Sequence, residues 1–77
     1  MSPIEDLYEQ YFRDVYRFCC SLTPSRELAE DIAQDTFEKA MKGIRGFKGE
    51  CDVRTWLFGI AKNTYISYCR KFGRIVP

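Results

Sequence analysis

The chain has 77 residues, twelve Lys and Arg against eleven Asp and Glu, a formal net charge of +1, and no histidine. That length makes one small domain burying only about 60% of the surface its unfolded chain exposes, so the six Phe, five Tyr and one Trp have to supply much of the core. Histidine, the commonest acid–base side chain, is missing, no run of about 18 apolar residues is present to span a membrane, and the start Met1-Ser2-Pro3-Ile4-Glu5 has neither the basic nor the apolar region of a secretion signal, so the chain reads as soluble and cytoplasmic.

Three helices are predicted, over about residues 3–22, 24–44 and 53–72, giving an all-α, compact three-helix bundle. Ser2-Pro3-Ile4-Glu5 has the form of a capping box with proline at the first helical position. The first apolar stripe is Ile4, Leu7, Tyr8, Tyr11, Phe12, Val15, Tyr16, Phe18, Cys19 and Leu22, spaced three and four apart. Thr23-Pro24 ends this helix, with Thr23 expected to cap the next. The second stripe is Leu28, Ile32, Ala33, Thr36, Phe37, Ala40, Met41 and Ile44, and its opposite face carries Glu27, Glu30, Asp31, Gln34, Asp35 and Glu38. Gly43 and Gly46 break the helix and residues 45–52 form a loop. Asp52 is placed to cap the third helix, whose expected buried side is Val53, Trp56, Leu57, Ile60, Ala61, Thr64, Tyr65, Tyr68 and Phe72, ending at Gly73.

Charge divides the chain in two. Residues 1–38 hold nine acids against three bases, and residues 39–77 hold nine bases against two acids. An asymmetry of this kind points to a nucleic-acid or other charged partner on the basic side; two solvated helix faces are the plainer alternative. The four cysteines are Cys19, Cys20, Cys51 and Cys69. A reducing compartment disfavours all three possible disulfide pairings, and the adjacent Cys19-Cys20 lacks the two-to-four-residue spacing of a zinc site. Cys19 and Cys69 lie on apolar stripes and read as core fillers, whereas Cys51, in a polar loop, is the thiol expected to be exposed and reactive. No metal and no cofactor is expected.

The segment Asp31-Ile32-Ala33-Gln34-Asp35-Thr36-Phe37-Glu38-Lys39-Ala40, followed by Phe47 and Gly49, then Thr55-Trp56-Leu57, Ile60-Ala61 and Asn63, closely resembles the second conserved region of bacterial sigma factors of the extracytoplasmic-function group. The resemblance covers nearly the whole chain, with the first helix matching in pattern more than in letters. It implies that Asp31, Gln34, Asp35, Phe37 and Glu38 dock on the coiled-coil clamp helices of the largest subunit of core RNA polymerase. An acidic face suits basic partner helices through steering and specificity. It also implies that the loop and third helix grip the non-template strand of the promoter minus-ten element, capturing a flipped base and melting the duplex.

By the same resemblance the base pocket has Phe47, Lys48, Gly49, Glu50, Cys51, Asp52 and Val53 on one wall and Asn63 and Lys39 on the other, with Trp56 as core anchor or stacking platform. Asn63 offers both a donor and an acceptor to a base edge, and Gly49 allows close backbone approach. Arg54, Lys62, Arg70 and Lys71 are expected to hold phosphates, making binding salt-sensitive. Departures from the family pattern are Ser67 in place of aspartate, Ala33 in place of a larger aliphatic, Met41 where tryptophan is common, and Gly59 where a basic residue is usual.

Family members continue into a second helical domain that reads the minus-thirty-five element, so the chain is expected to be region two of a longer factor. An anti-sigma factor is the expected regulatory partner, with no membrane contact by the chain itself. Two other classes remain open at this stage: a small helical duplex-DNA-binding or protein-interaction module, and a cysteine-based redox or metal sensor. An enzyme has the least support, for there is no phosphate-cradling loop and no convergent carboxylate pair.

Overall fold

The computed structural model describes residues 3–49 and 51–72. Helix α1 is Pro3–Leu22, α2 is Arg26–Gly43 and α3 is Val53–Lys71, with one 3-10 turn at Ile44–Gly46. Each helix packs on the other two, and among the described residues there is no strand. The all-α three-helix bundle is the predicted fold. Ser2, the side chain of Ile4 and Gly73 lie outside the described residues, and with them the proposed cap of α1 and the glycine stop of α3.

The first connection differs from expectation. Ser25, not Thr23, caps α2: its Oγ accepts from the Leu28 N–H at 3.1 Å, satisfying one of the orphan donors of a helix start. Thr23 stays with α1. Its N–H donates to the Cys19 carbonyl at 3.2 Å, its Oγ1 accepts from the Ser25 N–H at 3.3 Å, and it is buried. Thr-Pro-Ser therefore forms a turn between the helices, and α2 begins two residues later than predicted. At its other end α2 stops at Gly43, and the 3-10 turn tightens the exit, with the Phe47 N–H on the Ile44 carbonyl at 3.2 Å. Asp52 takes the N-cap position of α3 with extended backbone; its carbonyl accepts from the Trp56 N–H at 3.0 Å, while its side chain makes no cap bond.

Val15 and Cys19 of α1, Ala29, Ile32, Ala33, Phe37 and Ala40 of α2, and Leu57 and Ala61 of α3 form the buried core. Half of the buried positions of α2 are alanine, namely Ala29, Ala33 and Ala40. Thr36 and Thr64 lie among them, each hydroxyl returned to the carbonyl one turn back, Ile32 at 2.7 Å and Ile60 at 2.8 Å, so no polar group is stranded. Burial pushes the Cys19 thiol up from its ordinary 9.0 to about 11, the behaviour of an inert core filler. Aromatic rings close the edges. Tyr8, Phe12 and Phe37 contact one another between α1 and α2, and Phe18 stacks on Phe58 between α1 and α3 at 4.6 Å and 6°. Phe58 is absent from the predicted stripe of α3. Conversely Tyr8, Met41, Tyr68 and Phe72, assigned to buried stripes, are among the exposed large apolar residues.

Candidate functional site

The outward side of α2 carries the acidic face. Asp31, Gln34 and Glu38 are exposed and Asp35 half-buried, at the three- and four-residue spacing that puts them on one side of the helix. Two of the four are held in place. The Gln34 amide donates to the Tyr8 hydroxyl at 3.1 Å, tying the face to α1, and Asp35 Oδ2 lies 3.6 Å from Lys39 Nζ. Phe37 departs from the predicted set. It is 5% exposed and packs with Tyr8 and Phe12, so it anchors the face from beneath and reaches the surface only as part of a cleft wall.

A groove opens on each side of this face. On the α1 side, Glu5, Tyr8, Gln34, Phe37, Glu38 and Met41 line a cleft of about 240 Å³. On the α3 side, a groove of about 370 Å³ runs past Asp31, Asp35 and Lys39 to Ser67, Tyr68, Lys71 and Phe72. Tyr68 and Phe72 pack together at 4.4 Å, with the Lys71 ammonium 5.8 Å from the Phe72 ring centre. Pattern reading assigned these two aromatics to the core because their spacing continues the stripe. They are partly exposed instead, lining the groove opposite Asp31 and Ile32 of α2.

The second part of the site is the loop of residues 47–52 with α3. Phe47 lies on Trp56 at 4.8 Å between ring centres, and a Cβ added at Gly43 would come within 3.7 Å of the same indole. Trp56 is half-buried and fixes both ends of the loop, leaving the core-anchor and platform roles compatible. Gly49 has φ +76, a backbone that L side chains rarely adopt, so the loop turns there. Lys48, Gly49, Cys51 and Asp52 are exposed and Val53 half-buried; Glu50 lies outside the described residues. On α3, Asn63, Lys62, Arg70 and Lys71 are all exposed.

Lys39 and Arg54, both among the predicted DNA-contacting cations, are engaged inside the domain. Lys39 Nζ donates to Thr64 Oγ1 at 3.0 Å while lying 3.6 Å from Asp35, so it bridges α2 to α3 beside Asn63 and has its charge partly met by the acidic face. Arg54 Nε lies 3.4 Å from Asp14 Oδ2, and its guanidinium sits 5.9 Å from the centre of the Tyr11 ring. It points to α1, away from the loop. Both pairs are about half exposed and screened by solvent, so each contributes little to stability.

Of the thiols, Cys20 as well as Cys51 is exposed, and Cys69 is half-buried. Tyr16 and Tyr65 are raised above their ordinary 10.0, Tyr16 first by its hydrogen bond with Cys20 and Tyr65 first by burial and then by its hydrogen bond with Cys69. Among the described residues no group of three His, Cys, Asp or Glu is arranged to hold a metal, and no helix is long and apolar enough to cross a membrane.

The family model for Sigma-70 region 2 matches residues 7–75. The chain is 44% identical over 70 residues to the RNA polymerase sigma factor YlaC of Bacillus subtilis, covering 91% of this chain and 40% of that protein. It is 43% identical over 73 residues to the ECF RNA polymerase sigma factor SigM of the same organism, covering 95% of this chain and 44% of that protein. A probable RNA polymerase sigma factor of Haemophilus influenzae is 38% identical over 77 residues, covering 99% of this chain and 40% of its own length. The chain thus spans less than half the length of these relatives. No solved structure gives a significant match.

Proposed function

This chain belongs to the Sigma-70 region 2 family, among the extracytoplasmic-function sigma factors, and from that premise we propose that it engages core RNA polymerase through α2 and promoter DNA through the loop and α3. Sigma factors are initiation factors, so the chain works by binding and carries no chemistry of its own. It acts in the cytoplasm, beside polymerase.

The observation that carries this reading is the separation of charge on one core. Asp31, Asp35 and Glu38, with Gln34 among them, occupy the outward side of α2, while α3 holds Arg54, Lys62, Arg70 and Lys71 with no acid at all. The acidic face suits a basic helical surface such as the clamp helices of the largest polymerase subunit, by steering and by excluding wrong partners. The Phe47–Trp56 pair, the turn at Gly49 and the exposed Asn63 suit a single non-template strand of the minus-ten element. A base flipped out of the stack costs a few kcal/mol, and stacking worth about 1–3 kcal/mol per base, together with the Asn63 amide at its edge, offsets that cost. Glu50, Cys51, Asp52 and Val53 complete the loop side, and Lys39 lines the Asn63 side once it leaves Asp35. An anti-sigma protein that covers the acidic face and its flanking grooves would hold the factor inactive.

Strand preference tests the DNA half. Single-stranded non-template oligonucleotide is expected to bind more tightly than the same sequence as duplex, and Asn63→Ala to weaken it with the helical fold intact. Tighter duplex binding, unaffected by Asn63→Ala, would assign the chain to groove readers instead.

A further inference from the structure

Gly59 sits inside α3, exposed, six residues after its start. Glycine is among the least favourable residues in a helix interior, and two reasons for keeping one are absent here. Its φ is not positive, Gly49 being the glycine with that property among the described residues. A Cβ built on Gly59 would meet no atom within 4 Å, so no packing inside the domain needs the space.

The surroundings say what the space faces. At about 3.6 residues per turn, Thr55, Gly59, Lys62, Asn63, Ile66 and Arg70 fall on one outward stripe of α3, and all six are exposed. Ile66 is 38% exposed although apolar, and it lies between the two cations, which are about 12 Å apart along the axis. The whole helix lacks an acid. A positive stripe with a bare point of backbone and a nearby apolar side chain is complementary to a nucleic-acid strand, which offers phosphates, sugars and base faces in alternation.

We propose that Gly59 is a close-approach point, where the sugar–phosphate backbone of a bound strand crosses α3 in van der Waals contact with the helix backbone. Lys62 and Arg70 hold phosphates on that path, and Ile66 packs against a sugar or base between them. This rests on the reading of α3 as a DNA-contacting helix and adds to it a contact made by an absent side chain. In place of the basic side chain usual at this position, Gly59 brings the helix backbone itself to the strand.

The test is Gly59→Ala, read in two ways on this chain. Thermal unfolding is expected to shift up by about 4–8 °C, as for a helix-interior Gly→Ala change in a domain of this size. Affinity for a short single-stranded DNA of mixed sequence, titrated over a salt series, is expected to fall about three- to tenfold at low salt, with the salt slope reduced by about 0.7, one phosphate contact. Ser67→Ala also improves helix propensity but lies in the groove beside Asp35 and Lys71. It should raise the melting temperature slightly and leave affinity and slope unchanged, which separates filling the stripe from stiffening the helix. A Gly59→Ala variant that binds as tightly as wild type with the same slope overturns the close-approach point and leaves the DNA reading standing. Failure of wild type to bind the strand overturns both.

Discussion

Helices α2 and α3 are nearly equal in length, eighteen and nineteen residues, and bury their inner sides in the same core. Their outer sides could hardly differ more. On α2 the outer side carries the acidic face of Asp31, Gln34, Asp35 and Glu38, with Gln34 bonded to Tyr8 and Asp35 beside Lys39. On α3 they are cationic, small or apolar, with Lys62, Asn63 and Arg70 set around Gly59 and Ile66. Packing requirements stop at the inner stripe, so each outer face is free to be written for its own partner. An acidic surface suits docking on a basic protein, and a set of long cations with bare backbone suits a strand.

The most forceful way to break the comparison is to remove the core both helices share. Leu57 is fully buried, and Leu57→Ala is expected to cost about 2–5 kcal/mol, a large part of the stability of so small a domain; urea unfolding should show both partner activities lost together. A smaller loss is expected in alkali. Cys19 is held near 11 against an ordinary 9.0, so the folded state retains a proton that the unfolded chain releases between these values. That contribution is intact below pH about 9 and disappears as pH rises through about 11, so melting temperature should be flat near neutrality and then fall. Cys19→Ser should lessen the alkaline fall; an identical profile would place its cause elsewhere.

Two further changes sharpen the contrast between the faces. Lys62→Gln with Arg70→Gln should reduce the salt slope of single-strand binding by about 1.4, two phosphates' worth. Arg54→Gln should reduce it least of the α3 cations, because Asp14 and Tyr11 already occupy that side chain. A larger loss from Arg54 would mean the ion pair opens on binding. Smaller still is Ser25→Ala, which removes the cap of α2 and should cost about 1 kcal/mol in thermal unfolding, and smallest is Thr23→Ser, which keeps the buried turn hydroxyl.

Much of this was legible in the residues. Apolar spacing gave three helices because each buries a stripe, and Gly43 with Gly46 marked the break after α2. The capping residue was misplaced because Thr23 and Ser25 are both good caps, and the choice turned on whether the Thr23 backbone completed the last turn of α1. Phe58 escaped notice because its partner, Phe18, is forty residues away and sits at the margin of its own stripe. Of the candidate site, the acidic face and the exposed Asn63 followed from pattern and resemblance. The engagement of Lys39 with Thr64 and of Arg54 with Asp14 did not, since charge in a sequence does not say which opposite charge folding brings near. Gly59 was visible only as a deviation; the open space over it is a property of the folded helix.

The central claim is that α2 carries the polymerase-binding face. Its most direct test is calorimetric titration of this chain against the isolated clamp coiled coil of bacterial RNA polymerase, with Asp35→Arg alongside. Saturable binding by the wild type that weakens with salt and is lost in Asp35→Arg, both proteins showing the same helical circular dichroism, is the predicted result. No binding by the folded wild type, or equal binding by Asp35→Arg, would contradict it.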